Sequence, residues 1–98
     1  MEIKQIISGI PDWNVIFELE NGLYAMSNVS SQELVHFSMN QTTFLRHGYF
    51  VGADQLNDST IGRAKETLLY YLHNKDLLKS CPMLGNKRVI RSLLGLDE

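Results

Sequence analysis

Three histidines and one cysteine are the side chains here best suited to hold a metal or activate a nucleophile: His36, His47, His73 and Cys81. Zinc needs its ligands gathered into a tetrahedron, and its sequence signatures place them in pairs a few positions apart. The candidates are separated by 11, 26 and 8 positions, with no second cysteine to complete a pair. No metal site is expected. Cys81 stands before Pro82 without the surroundings of a catalytic thiol, so it reads as an inert buried residue. No serine elbow, phosphate-binding loop or helical HExxH occurs, and Gly48 and Gly52 do not make a nucleotide fingerprint. Glu18 and Glu20 fall on one face of a strand, as paired acid–base carboxylates must, but two exposed acids on a strand are simply read as a solvated edge. The chain is therefore expected to recognise something without being an enzyme, and to need no cofactor.

Two surfaces are candidates for that recognition. The first is basic. Asn86 caps a short helix from Lys87 to Leu94, so Lys87 and Arg88 fall in its first turn, with Arg91 one turn along and Lys79 as a further member. Cations there oppose the helix dipole and do not help stability, but together with backbone amides they suit an anion such as a nucleic-acid phosphate. The second surface is acidic and aromatic: Glu18, Glu20 and Glu33, with Tyr49 and Tyr70. Aromatic residues dominate interface hot spots, and a carboxylate face suits a basic partner such as a nucleic-acid-handling protein. The two C-terminal helices suggest a helix-turn-helix only weakly, since the connector Lys79 to Asn86 exceeds the usual three or four residues.

These side chains must be positioned by a scaffold, and its clearest stretch is Trp13 to Asn28. Asn21-Gly22 is the short-range signal of a two-residue type I′ hairpin turn. Closing the hairpin there pairs Leu19 with Tyr24 and Phe17 with Met26, and puts Trp13, Val15, Phe17 and Leu19 on one apolar face with Tyr24 and Met26. Glu2 to Ser8 reads as a preceding strand, or as a short helix grouping Ile3, Ile6 and Ile7; the strand is preferred. Ile10-Pro11-Asp12-Trp13 fits a type I turn into the hairpin.

Beyond the hairpin, Ser30-Ser31-Gln32-Glu33 has the form of a capping box, which predicts a helix from Ser31 to Met39. Residues 41–57 read either as a fourth short strand, Tyr49 to Ala53, or as an apolar loop over the core. A longer helix from Thr60 to about Asn74, capped by Asp58 or Ser59, carries the stripe Ile61, Ala64, Leu68, Tyr71, Leu72. The last helix has Val89, Ile90, Leu93 and Leu94 as its apolar side and Gly95-Leu96 as a Schellman-type end.

At 98 residues the chain suits a single α+β domain, residues 1–98: a three-stranded antiparallel β-meander with two to three helices packed on one face. No apolar run approaches a membrane span, nothing resembles a signal peptide, and the lone cysteine agrees with a reducing compartment, so a cytoplasmic protein with no membrane partner is expected. Charge is uneven: residues 1–60 carry a net −5 and residues 61–98 a net +3. The resulting expectation is a small intracellular protein-binding module, an inhibitor or neutraliser of a larger, nucleic-acid-handling protein. Its alternatives are a nucleic-acid-binding regulator using the basic C-terminal helices, and an enzyme subunit completed by oligomerisation. Self-association through the hairpin edge is a further possibility.

Overall fold

The computed structural model describes residues 2–10, 14–46 and 57–96. Four strands form one antiparallel sheet in chain order: β1 (Ile3–Ile10), β2 (Asn14–Leu19), β3 (Tyr24–Asn28) and β4 (Glu33–Ser38). Helices follow as α1 (Gln41–Arg46), α2 (Asp58–Leu72), α3 (Lys75–Ser80) and α4 (Lys87–Leu93). The meander thus has one strand more than the sequence suggested. The turn at residues 11–13, Trp13 with it, and the Tyr49 to Ala53 segment lie outside the described residues.

The hairpin register differs from expectation by one residue. Phe17 faces Ala25 and Ile16 faces Met26. The Gly22 amide donates to the Leu19 carbonyl at 3.0 Å, and the Leu19 amide to the Leu23 carbonyl at 2.8 Å. Gly22 has φ of 89°, while Asn21 is not among the positive-φ residues. This is a three-residue loop, a type I turn over Glu20-Asn21 followed by a left-handed glycine, rather than the two-residue type I′ turn. The Asn21 side chain supports it by accepting from the Leu23 amide at 3.1 Å.

The shift moves Tyr24 and Met26 to the opposite face and brings Leu23, Ala25 and Ser27 to the core side. That is tolerable because both faces are covered. One core holds Val15, Phe17, Leu19, Leu23, Ala25, Leu34 and Phe37 under Ala64, Leu68, Leu78, Ile90 and Leu94 of the helical layer. The smaller core, on the other face, holds Ile16, Met26 and Phe44, with Ile7, Tyr24, Val35 and Leu84 packed around it. Phe44 belongs to α1, so the helices do not all lie on one side as expected.

Where a capping box predicted a helix, residues 29–32 form the turn into β4. Asn28 Oδ1 accepts from the Ser31 amide at 2.8 Å and from Ser31 Oγ at 3.1 Å, and Gln32 takes the left-handed conformation at φ of 56°. The side chain that caps the turn is therefore Asn28 and not Ser30. Val35 is an extra residue in β4, since Leu34 pairs with Ser27 and His36 with Met26. That bulge puts Leu34 and Phe37, three apart, on the same face. β1 does likewise: shifts on either side of Gln5-Ile6 let Ile3 and Ile6 both pack on the larger core while Ile7 packs on the smaller.

α2 lies across the core face of the sheet with Thr60, Ala64, Thr67 and Leu68 buried, so Thr60 and Thr67 join Ala64 and Leu68 of the expected stripe. Small residues permit a close approach, and Ser27 Oγ donates to the Ala64 carbonyl at 3.0 Å. The helix is capped by Asn57, one position before Asp58 and two before Ser59, the two candidates. After His73 the chain restarts as α3 under an Asn74 cap. Cys81 is extended, at φ −71° and ψ 131°, as a residue before proline must be. The segment after it then runs beside β4, with Met83 bridged in parallel to Phe37 and the Leu84 amide donating to the Phe37 carbonyl at 2.9 Å. Among the described residues no helix is long and apolar enough to cross a membrane.

Candidate functional site at the outer surface of the last helix

Asn86 caps α4, its Oδ1 accepting from the Val89 amide at 3.2 Å. The helix ends in a Schellman motif: the Leu96 amide donates to the Arg91 carbonyl at 2.9 Å, the Gly95 amide to the Ser92 carbonyl at 3.0 Å, and Gly95 has φ of 76°. Two outside contacts hold this end. Asn21 Nδ2 donates to the Leu93 carbonyl at 3.2 Å and Lys75 Nζ to the Gly95 carbonyl at 3.3 Å. The first satisfies a carbonyl that the helix leaves open, and the second places the Lys75 charge at the negative end of its dipole.

Ile90 and Leu94 face the core. Successive residues of a helix are 100° apart, so the remaining side chains divide into two strips on opposite flanks of the exposed side. Lys87, Arg88 and Arg91 make a cationic strip; Val89 and Leu93 make an apolar one, with Ser92 between them. They line an open depression of about 1040 Å³ whose seventh member is the buried Leu96. Leu93 is 39 % exposed, so the apolar side read from the sequence splits: Ile90 and Leu94 are core, while Leu93 belongs to the surface. The four-residue interval Val89 to Leu93, running beside Ile90 to Leu94, was the signal available for that second strip.

The structure thus brings together Lys87, Arg88 and Arg91. Lys79 is exposed on α3 but does not line the depression.

The acidic and aromatic candidates are not gathered in the same way. Glu18 stands opposite Tyr24 and Glu33 opposite Asn28, four residues apart on β3, or about 13 Å along the strand. Glu20 is exposed in the β2–β3 loop. Glu18 accepts from Gln5 Nε2 at 2.6 Å and pairs with Lys4 Nζ at 3.5 Å. That amide hydrogen bond, with the Lys4 charge beside it, holds its carboxyl below the ordinary value. Tyr70 is 65 % exposed on α2, its ring meeting Tyr71 edge-on at 6.3 Å. Tyr49 lies outside the described residues.

The chemical candidates are likewise separate. Among the described residues no three His, Cys, Asp or Glu side chains are grouped as metal ligands would be. Cys81 is buried, with Sγ donating to the Leu34 carbonyl at 3.1 Å, and burial pushes its thiol up to about 12. A thiol so placed is a core residue that carries almost no thiolate near neutrality.

No family model, curated protein or solved structure matches this chain.

Proposed function

We propose that this chain is a small cytoplasmic protein-binding module, acting by binding rather than catalysis, which engages a larger protein through the outer surface of α4 and neutralises it by occupying its surface. The observation that carries this reading is the depression over α4, where exposed Leu93 and half-buried Val89 on one flank and three cations on the other stand on one helix held at its C-terminal end by two outside contacts. Arg88 and Arg91 are of the residue type enriched at interface hot spots, and Val89 and Leu93 add apolar area that a partner can bury. The wide spacing of Glu18 and Glu33 leaves less support for an acidic face that imitates nucleic acid.

A photo-crosslinking residue at Leu93, compared in cells with one at exposed Thr42 on α1, tests the reading. The expected result is a discrete protein adduct from position 93, absent from position 42 and lost when Lys87→Glu and Arg88→Glu are added. Equal adducts from both positions, or a position-93 adduct made of nucleic acid, would overturn it.

A further inference from the structure

We infer that the depression between the β3–β4 turn and the start of α2 holds the phosphate group of a phosphate monoester. It shares no lining residue with the depression over α4 and stands or falls apart from the protein-binding reading. Ser30 and Gln32 line it from the turn, and Asn57, Ser59, Thr60 and Arg63 from α2 and its cap, around a volume of about 520 Å³. Small-molecule sites occupy roughly 300–1,000 Å³, so an esterified group has room there.

Thr60 is the observation behind this. It lines the depression, is only 5 % exposed, and its hydroxyl has no hydrogen-bond partner among the described residues. Its amide is satisfied by Asn57 Oδ1 at 2.8 Å, so the orphan is the side chain alone. Thr67, two turns along, shows the ordinary solution, its Oγ1 donating to the Arg63 carbonyl at 3.1 Å. A hydroxyl left open in a buried residue costs stability, and at the wall of a depression it is answered by what enters there.

The groups around it are donors. The side chains of Ser30, Gln32 and Ser59 have no partner among the described residues, and Arg63 pairs with no carboxylate there. α2 is 15 residues long, and its Ile61 amide donates to the Asn57 carbonyl at 3.0 Å, which leaves the Ser59 amide open beside the Ser59 hydroxyl. The lining thus offers hydroxyls, amide N–H groups and one guanidinium, and no carboxylate. Phosphate matches this set, with three acceptor oxygens and a charge that suits both Arg63 and the positive end of α2. Two carboxylates stand nearby without lining the depression: Asp58 in the same first turn, and Glu66 three residues beyond Arg63.

The full chain is titrated with glycerol phosphate, with N-acetyl-O-phosphoserine amide and with glycerate, following backbone amide shifts. Both monoesters are expected to give saturable shifts at residues 30–32 and 57–63, and glycerate to bind about tenfold less tightly. The tighter monoester identifies the source, a free metabolite or a phosphorylated serine. Thr60→Val and Arg63→Gln should each weaken binding about tenfold with circular dichroism retained, and Asp58→Asn should tighten it. Thr60→Val should also leave stability in urea unchanged or raised, because the hydroxyl it removes has no partner. A clear loss of stability in that variant would make the hydroxyl a structural donor and overturn the site. Absence of saturable shifts with either monoester, equal binding of glycerate, or binding that survives both substitutions also overturns it.

Discussion

Asn21 makes two contacts that a two-residue turn would not need, accepting from the Leu23 amide and donating to the Leu93 carbonyl. Asn21→Gly removes both and adds backbone freedom, so it should destabilise the protein by about 1–2 kcal/mol in urea unfolding. In a type I′ turn the same change would be mild, because Gly suits both central positions. Cys81 supports a prediction in pH. Its thiol is raised by burial from 9.0 to about 12, so above pH 9 the unfolded chain loses this proton while the folded chain keeps it. The unfolded state then binds fewer protons, and stability falls as pH rises through that window, at up to about 1.4 kcal/mol per unit from this one group. The stability advantage of the native chain over Cys81→Ala should therefore shrink between pH 9 and pH 12. A constant advantage would mean that the thiol is not desolvated.

At the scale of elements, burial on both sheet faces makes α1 more than a connector. Phe44 is fully buried against Ile16 and Met26, and Phe44→Ala should cost about 3–5 kcal/mol, readable as a fall in the urea midpoint. A cost below about 1 kcal/mol would mean that this face is in contact with water. The same two-sided burial explains what could be read from the chain beforehand. The presence of the hairpin, though not its turn type or register, and α2, the Asn86 cap and the Schellman end were legible because each depends on local chemistry. β4 was not, because Ser30 to Glu33 imitates a capping box and the bulge then spaces its core residues as a helix would. Leu34 and Phe37 face one core at a spacing of three, a helical interval, only because Val35 is an extra residue. Ile3 and Ile6 carry the same ambiguity through the irregular register of β1. A pattern of alternation assumes one buried face and an unbroken ladder, and neither holds here. The cationic half of the candidate site followed from the cap at Asn86. The apolar half did not, since the choice between Leu93 and Leu94 as core residue depends on how α4 is turned against the sheet.

For the molecule as a whole, the cost and use of charge can be separated. Lys87 and Arg88 oppose the α4 dipole, so Lys87→Glu with Arg88→Glu should leave the thermal midpoint unchanged or raise stability by about 0.3–1 kcal/mol while removing the α4 interaction. A marked loss of stability would instead assign these cations a structural task. The sheet has its outer strands at β1 and β4, so both hairpin strands are internal and the expected route of self-association through the hairpin edge is already occupied. β1 is broken by irregular register and carries Lys4, both of which discourage strand addition. β4 is protected differently, by Met83 and Leu84 from far along the chain. During synthesis that protection arrives late. Chains grow at roughly 5–20 residues per second, so β4 can pair with β3 seconds before residues 83–84 leave the ribosome, and in that interval its backbone is open to any neighbouring strand.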